Sequence, residues 1–65
     1  MRNESISVCM ATYNGEKFLK EQINSILSQL QDNDELIIVD DNSTDSTRLI
    51  IEGYSDRRIK KIYNE

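Results

Sequence analysis

The chain has 65 residues, with twelve acidic against eight basic side chains for a net charge of −4, one cysteine and no histidine. That length allows one domain burying only about 60% of its unfolded surface, and the composition supplies neither an intrachain disulfide nor a Cys/His zinc set to reinforce it. The negative balance excludes general affinity for nucleic-acid phosphate, and no apolar run approaches the roughly 20 residues of a membrane span.

The opening Met1-Arg2-Asn3-Glu4-Ser5 lacks the apolar centre of a leader peptide, so a cytoplasmic location is expected. Ile6 to Ala11 is apolar and β-branched at alternate positions, which predicts a first strand, with Cys9 read as a core residue rather than a reactive thiol. Thr12 to Glu16 breaks that strand; Asn14 is expected to cap a following helix and Gly15 to free the backbone for the turn. Phe18, Leu19, Ile23, Ile26, Leu27 and Leu30 recur at three- and four-residue steps. They predict an amphipathic helix of about four turns, its Lys and Glu residues forming a solvated face.

Asp32-Asn33-Asp34 reads as a turn, and Glu35 to Asp40 as a second strand. Four consecutive large apolar residues, Leu36 to Val39, suit a parallel sheet covered on both faces. A βαβ crossover this short is right-handed, so the two strands run parallel, and Ala11 to Asn14 become neighbours of Asp40 to Ser43. Such sheets bind ligands at that edge. Asp40 and Asp41 are expected to be exposed there in a crevice, because burying unpartnered carboxylates costs several kcal/mol. One of the pair would tie down amides of the next loop while the other touches a ligand. Adjacent strand residues point to opposite faces, so the pair reaches one metal ion only if the strand has already turned.

Ser43 or Thr44 is placed to cap a second helix, with Asp45 in its first turn, Leu49, Ile50 and Tyr54 on its apolar side and Gly53 at its end. Asp56-Arg57-Arg58 is a turn, and Ile59 to Tyr63 a third strand polar enough for a sheet edge. The predicted fold is α/β, a Rossmann-like βαβαβ unit with parallel strands in three layers.

Two glycines are too few for a G-x-G-x-x-G or Walker loop. What the strand ends offer instead is a tyrosine ring, Tyr13, beside carboxylates and an amide. Tyrosine stacks on a heterocycle and a carboxylate accepts from a ring imide N–H, a combination that selects a pyrimidine such as uracil.

Three ordered motifs carry a resemblance: Ile6 to Gly15, Ser25-Ile26-Leu27-Ser28-Gln29, and Ile38-Val39-Asp40-Asp41-Asn42-Ser43-Thr44-Asp45. Together they resemble the start of family 2 glycosyltransferases of the GT-A fold. The resemblance implies that residues 1–65 are the N-terminal portion of a single, truncated GT-A nucleotide-sugar-binding domain. Its substrate-binding positions would be Ala11, Thr12, Tyr13, Asn14, Asp40 and Asp41, with Ala11 and Tyr13 lining the base pocket and Asp41, beside Asp40, holding uracil or another base. The implied full-length chemistry is sugar transfer from a nucleoside diphosphate sugar, with UDP the expected carrier, to an acceptor hydroxyl. A divalent cation, Mg or Mn, would sit on the diphosphate, and the longer protein would work in the cytoplasm or at the cytoplasmic face of a membrane.

Ala11 stands where many members carry Pro, and Asn42 where many carry Gly; asparagine also tolerates left-handed backbone angles. The family's D-x-D metal motif and catalytic base have no counterpart here, since Asp32-Asn33-Asp34 has the spelling but sits in a turn before the second strand. No catalytic residue and no metal ligand is therefore expected in this chain, which should be inactive alone. Two alternatives stand beside this reading: a receiver-type, Mg-binding signalling module built on the acidic pair, and a fragment whose exposed strand edges lead it to self-associate.

Overall fold

The computed structural model describes residues 4–65; the N-terminal stretch read above as no leader lies, at residues 1–3, outside them. The order is β1 (Ser7–Thr12), α1 (Leu19–Leu27), β2 (Glu35–Asp41), α2 (Thr47–Glu52) and β3 (Ile59–Asn64). All pairings are parallel, and β2 lies between β1 and β3. The βαβαβ unit is thus as the sequence predicts.

Strand alternation divides the sheet into two unlike faces. Leu36 and Ile38 of β2 and Ile59 of β3 turn toward the helices and are buried with Leu19 and Ile23 of α1 and Ile51 of α2. Each such side chain contributes roughly 1.5–3 kcal/mol on burial. Val8 and Met10 of β1 pack against the same cluster. On the other face Ile37 and Val39 are only half-buried and Ile62 is exposed.

Both helices therefore cover one face, and the described residues form two layers of the three expected. The strand order explains this: β1-β2-β3 advances in one direction, and successive right-handed crossovers then carry their helices over the same side. A helix opposite requires the order to reverse. Cys9 lies on the uncovered face and is exposed, which corrects its reading as core.

The helices differ from expectation at their ends. α1 is nine residues long, and Gln29 and Leu30 continue it only as tighter turns, their N–H groups donating to Ile26 and Leu27 at 3.0 and 3.2 Å. Phe18 precedes α1 and is 61% exposed, not part of its buried stripe. In α2, Thr47 and Ile51 share the buried side, so Leu49, about 200° around the helix from Thr47, points outward at 75% exposure. Gly53 does end α2, with ordinary right-handed angles.

At the N-terminal edge of the sheet, Asp34 is buried and accepts from the N–H of Ile6 at 2.8 Å and of Gln31 at 2.6 Å. The Arg58 guanidinium donates to the carbonyls of Leu27 and Leu30 at 3.1 and 2.9 Å, closing the end of a helix that has no basic residue in its own last turn. It also grips Asp56 at 2.8 and 3.0 Å, and this hydrogen bonding brings the Asp56 carboxyl down to about 2.

Candidate functional site

Thr12 and Asp40 are register partners where β1 and β2 end. Both side chains turn toward the helices and are buried, Asp40 to 1% exposure, while Asp41 turns the other way into solvent. The expectation that both carboxylates are exposed is thus corrected for Asp40. Opposite pointing of adjacent strand residues splits the pair, as anticipated for a strand that has not turned.

Burial of Asp40 is tolerated because its oxygens are filled. Thr12 Oγ1 and Ser43 Oγ donate to Oδ1 at 2.7 and 2.6 Å, and the Ser43 N–H donates to Oδ2 at 3.0 Å. Desolvation pushes the carboxyl up, but these hydrogen bonds, aided by the charge of Arg48, outweigh it and hold the group below its ordinary value. One aspartate tying down the following loop is the role anticipated for one of the pair, and Asp40 performs it.

The next turn depends on asparagine geometry. Asn14 and Asn42 have φ of 47° and 56°, the only positive values among the described non-glycine residues, and neither glycine has one. The turn after β1 therefore uses Asn14, not Gly15, as its left-handed residue. Asn14 does not cap α1, whose N-cap position is Phe18, without a side-chain cap. Its Oδ1 instead accepts the N–H of Thr44 at 2.8 Å and that of Asp45 at 3.4 Å, across the sheet edge. Its own N–H donates to Ser43 Oγ at 2.9 Å.

Ser43 and Thr44 likewise do not cap α2, whose N-cap position is Ser46. Asp45 stands just ahead of that helix: Oδ1 accepts the Thr47 N–H at 2.9 Å and Oδ2 the Glu16 N–H at 3.4 Å, and hydrogen bonding from Thr47 lowers its carboxyl. Two further ties run between the loops, Gly15 N–H to Thr47 Oγ1 at 2.9 Å and Ser46 N–H to Glu16 Oε2 at 3.0 Å. The capping residues act, but on the neighbouring loop.

Of the positions predicted to bind substrate, Ala11, Tyr13 and Asp41 face outward, Tyr13 at 63% exposure. Thr12, Asn14 and Asp40 spend their polar atoms on holding the two loops. Sequence reasoning missed Arg48, which stacks 4.3 Å over the ring of Tyr63, the register partner of Asp40. Burial and the facing Glu52 raise the Tyr63 phenol to about 12. No local motif marks that contact, since it joins α2 to β3.

The residues present do not fit a divalent cation. No group of three or more His, Cys, Asp or Glu gathers among the described residues. Asp40 and Asp34 use their oxygens on protein donors, and Asp41 lies opposite Asp40. No helix among them is long and apolar enough to cross a membrane.

Comparison with known proteins places the chain in a family. The family model described as Glycosyl transferase family 2 matches residues 7–65. The chain is 42% identical over 60 residues to the UDP-Glc:alpha-D-GlcNAc-diphosphoundecaprenol beta-1,3-glucosyltransferase WfgD of Escherichia coli, covering 92% of this chain and 24% of that protein. It is 38% identical over 65 residues to the glycosyltransferase GlyG of Streptococcus pneumoniae, covering 97% of this chain and 22% of that protein. An uncharacterized glycosyltransferase of Haemophilus influenzae is 42% identical over 62 residues, with 92% and 19% covered. The chain thus spans about a fifth to a quarter of the length of these curated relatives. No solved structure gives a significant match.

Proposed function

Because the chain belongs to glycosyl transferase family 2, an enzyme family of sugar transfer, we propose that its strand ends form the nucleobase side of a nucleoside diphosphate sugar site, with UDP as the carrier. The observation that carries this reading is the division of labour at the sheet edge: Asp40 is buried and fully hydrogen-bonded while its neighbour Asp41 is exposed. The Asp41 carboxylate would accept the imide N–H of uracil, and Tyr13 would stack on the ring. Ala11 shares the outward face with Asp41 and leaves room for the base. The E. coli relative's name states a UDP-glucose donor, which supports the same carrier here.

Sugar transfer itself belongs to the longer protein, where a base takes the acceptor's proton. The 65-residue chain supplies no group for that step and is expected to be inactive alone. A receiver-type reading lacks an acceptor: the acidic pair ends the second strand, and β3 ends in Ile62-Tyr63-Asn64.

The test is an amide NMR titration of the chain with UDP, with AMP as control. Shifts at Tyr13 and Asp41 that are selective for UDP are expected, at a dissociation constant near ~1 mM, about 4 kcal/mol. Asp41→Asn should remove the selectivity. Equal shifts with both nucleotides, or none at these residues, would overturn the reading.

A further inference from the structure

Tyr13 opens the turn after β1 and Asp41 is the last residue of β2, yet each sits between anchored residues. Tyr13 is flanked by Thr12, which donates to Asp40, and by Asn14, whose N–H donates to Ser43 Oγ and whose Oδ1 accepts from Thr44. Asp41 is flanked by the buried Asp40 and by the left-handed Asn42, after which Ser43 returns two hydrogen bonds to Asp40. Ser43 is the residue common to both brackets. Its hydroxyl donates to Asp40 Oδ1 at 2.6 Å and accepts from the Asn14 N–H at 2.9 Å, two roles that one hydroxyl fills together.

From this we infer that Ser43 is a positioning residue: its hydroxyl fixes the turn bearing Tyr13 relative to the end of β2 that bears Asp41, and so sets the spacing between stacking ring and base acceptor. The inference rests on the nucleotide reading above. The physical ground is that two groups on separate segments bind well only if their separation is fixed before the ligand arrives, since ordering them on binding costs affinity. Ser43 is only half-buried, and threonine keeps the hydroxyl.

The experiment compares Ser43→Ala, Ser43→Thr and wild type in UDP titrations read at Tyr13 and Asp41. S43A should weaken UDP about tenfold while its spectrum stays dispersed, and S43T should restore the affinity. Without nucleotide, S43A should shift or broaden the Tyr13 and Asp41 amides together. Asp34→Asn, at the far edge of the sheet, is the control for lost stability and should leave the UDP affinity of the folded fraction unchanged. If S43A does not fold, Ser43→Cys carries the test: it keeps the side chain's place but replaces the hydroxyl with a weak thiol donor and acceptor, and should weaken UDP several-fold.

A wild-type chain that binds UDP while S43A, or S43C in its place, binds equally well overturns the positioning role and leaves the nucleotide reading standing. An equal loss in D34N and S43A reduces Ser43 to a stability residue and also overturns it. A wild-type chain indifferent to UDP removes the nucleotide reading and, with it, the site Ser43 would serve.

Discussion

The two ends of the sheet use the same device for different ends. At the N-terminal edge, buried Asp34 takes the amides of Ile6 and Gln31, and Arg58 closes α1, so these two side chains join strand, turn and helix. At the C-terminal edge, buried Asp40 takes Thr12 and Ser43, but the chain then leaves the strand direction through two left-handed asparagines and presents Tyr13 and Asp41 outward. A buried aspartate that accepts hydrogen bonds is therefore no mark of a site by itself. Under the proposed nucleotide reading, the difference lies in the outward Tyr13 and Asp41 beside the C-terminal brace.

Breaking the C-terminal brace should have the largest effect. Asp40→Ala strands the donors of Thr12 and Ser43 and is expected to cost about 2–3 kcal/mol, read as a lowered urea midpoint. For a chain of this size that is a large part of its stability. An unchanged midpoint would mean that the brace does not operate. Next, Asn14→Ala loses the acceptor for the Thr44 and Asp45 amides and the polar side chain that makes left-handed backbone tolerable, for about 1–2 kcal/mol. The adjacent Gly15→Ala should be neutral or stabilise slightly, because nothing lies within 4 Å of its Cβ and its φ is not positive. A costly G15A beside a harmless N14A would reverse the assignment of the turn.

Acid separates the two ends more finely. Asp40 and Asp56 both have lowered carboxyls, so each stabilises the fold fully above the ordinary value of 3.8 and loses that contribution as pH falls through its folded value, about 2 for Asp56. Both losses should appear as a falling urea midpoint below about pH 4. Protonation of Asp40 and Asp45, which hold the loops at that edge, should carry the Tyr13 amide signal with it, and Asp56→Asn should leave that signal in place while partly flattening the midpoint curve. The smallest effect is expected for Leu49→Lys, within about 0.5 kcal/mol, since the side chain already points into water.

The strands, their parallel pairing and the meeting of Thr12 with Asp40 were legible in the sequence because apolar runs and a short crossover leave few alternatives. The partners of the capping residues were not. Asn14, Ser43 and Thr44 have the composition of helix caps, and a cap is ordinarily sought within three residues; here the groups they serve are about thirty residues away, on the neighbouring loop. Cys9, Ile37 and Val39 were misplaced for a related reason. Apolar character does not say how many faces of a sheet are covered, whereas strand order does.

The separation between β1 and β2 has a kinetic side. Ile6–Asp34, Ser7–Glu35 and Thr12–Asp40 are each 28 residues apart, so every rung and both end braces share one loop. Closing a loop of that size costs about 3 kcal/mol beyond a constant, and only the first contact bears it. Later rungs zip without further closure. The pair should consequently fray from its ends while the loop stays closed, with amide exchange slowest around Ile37 and Ile38 and rising toward both edges.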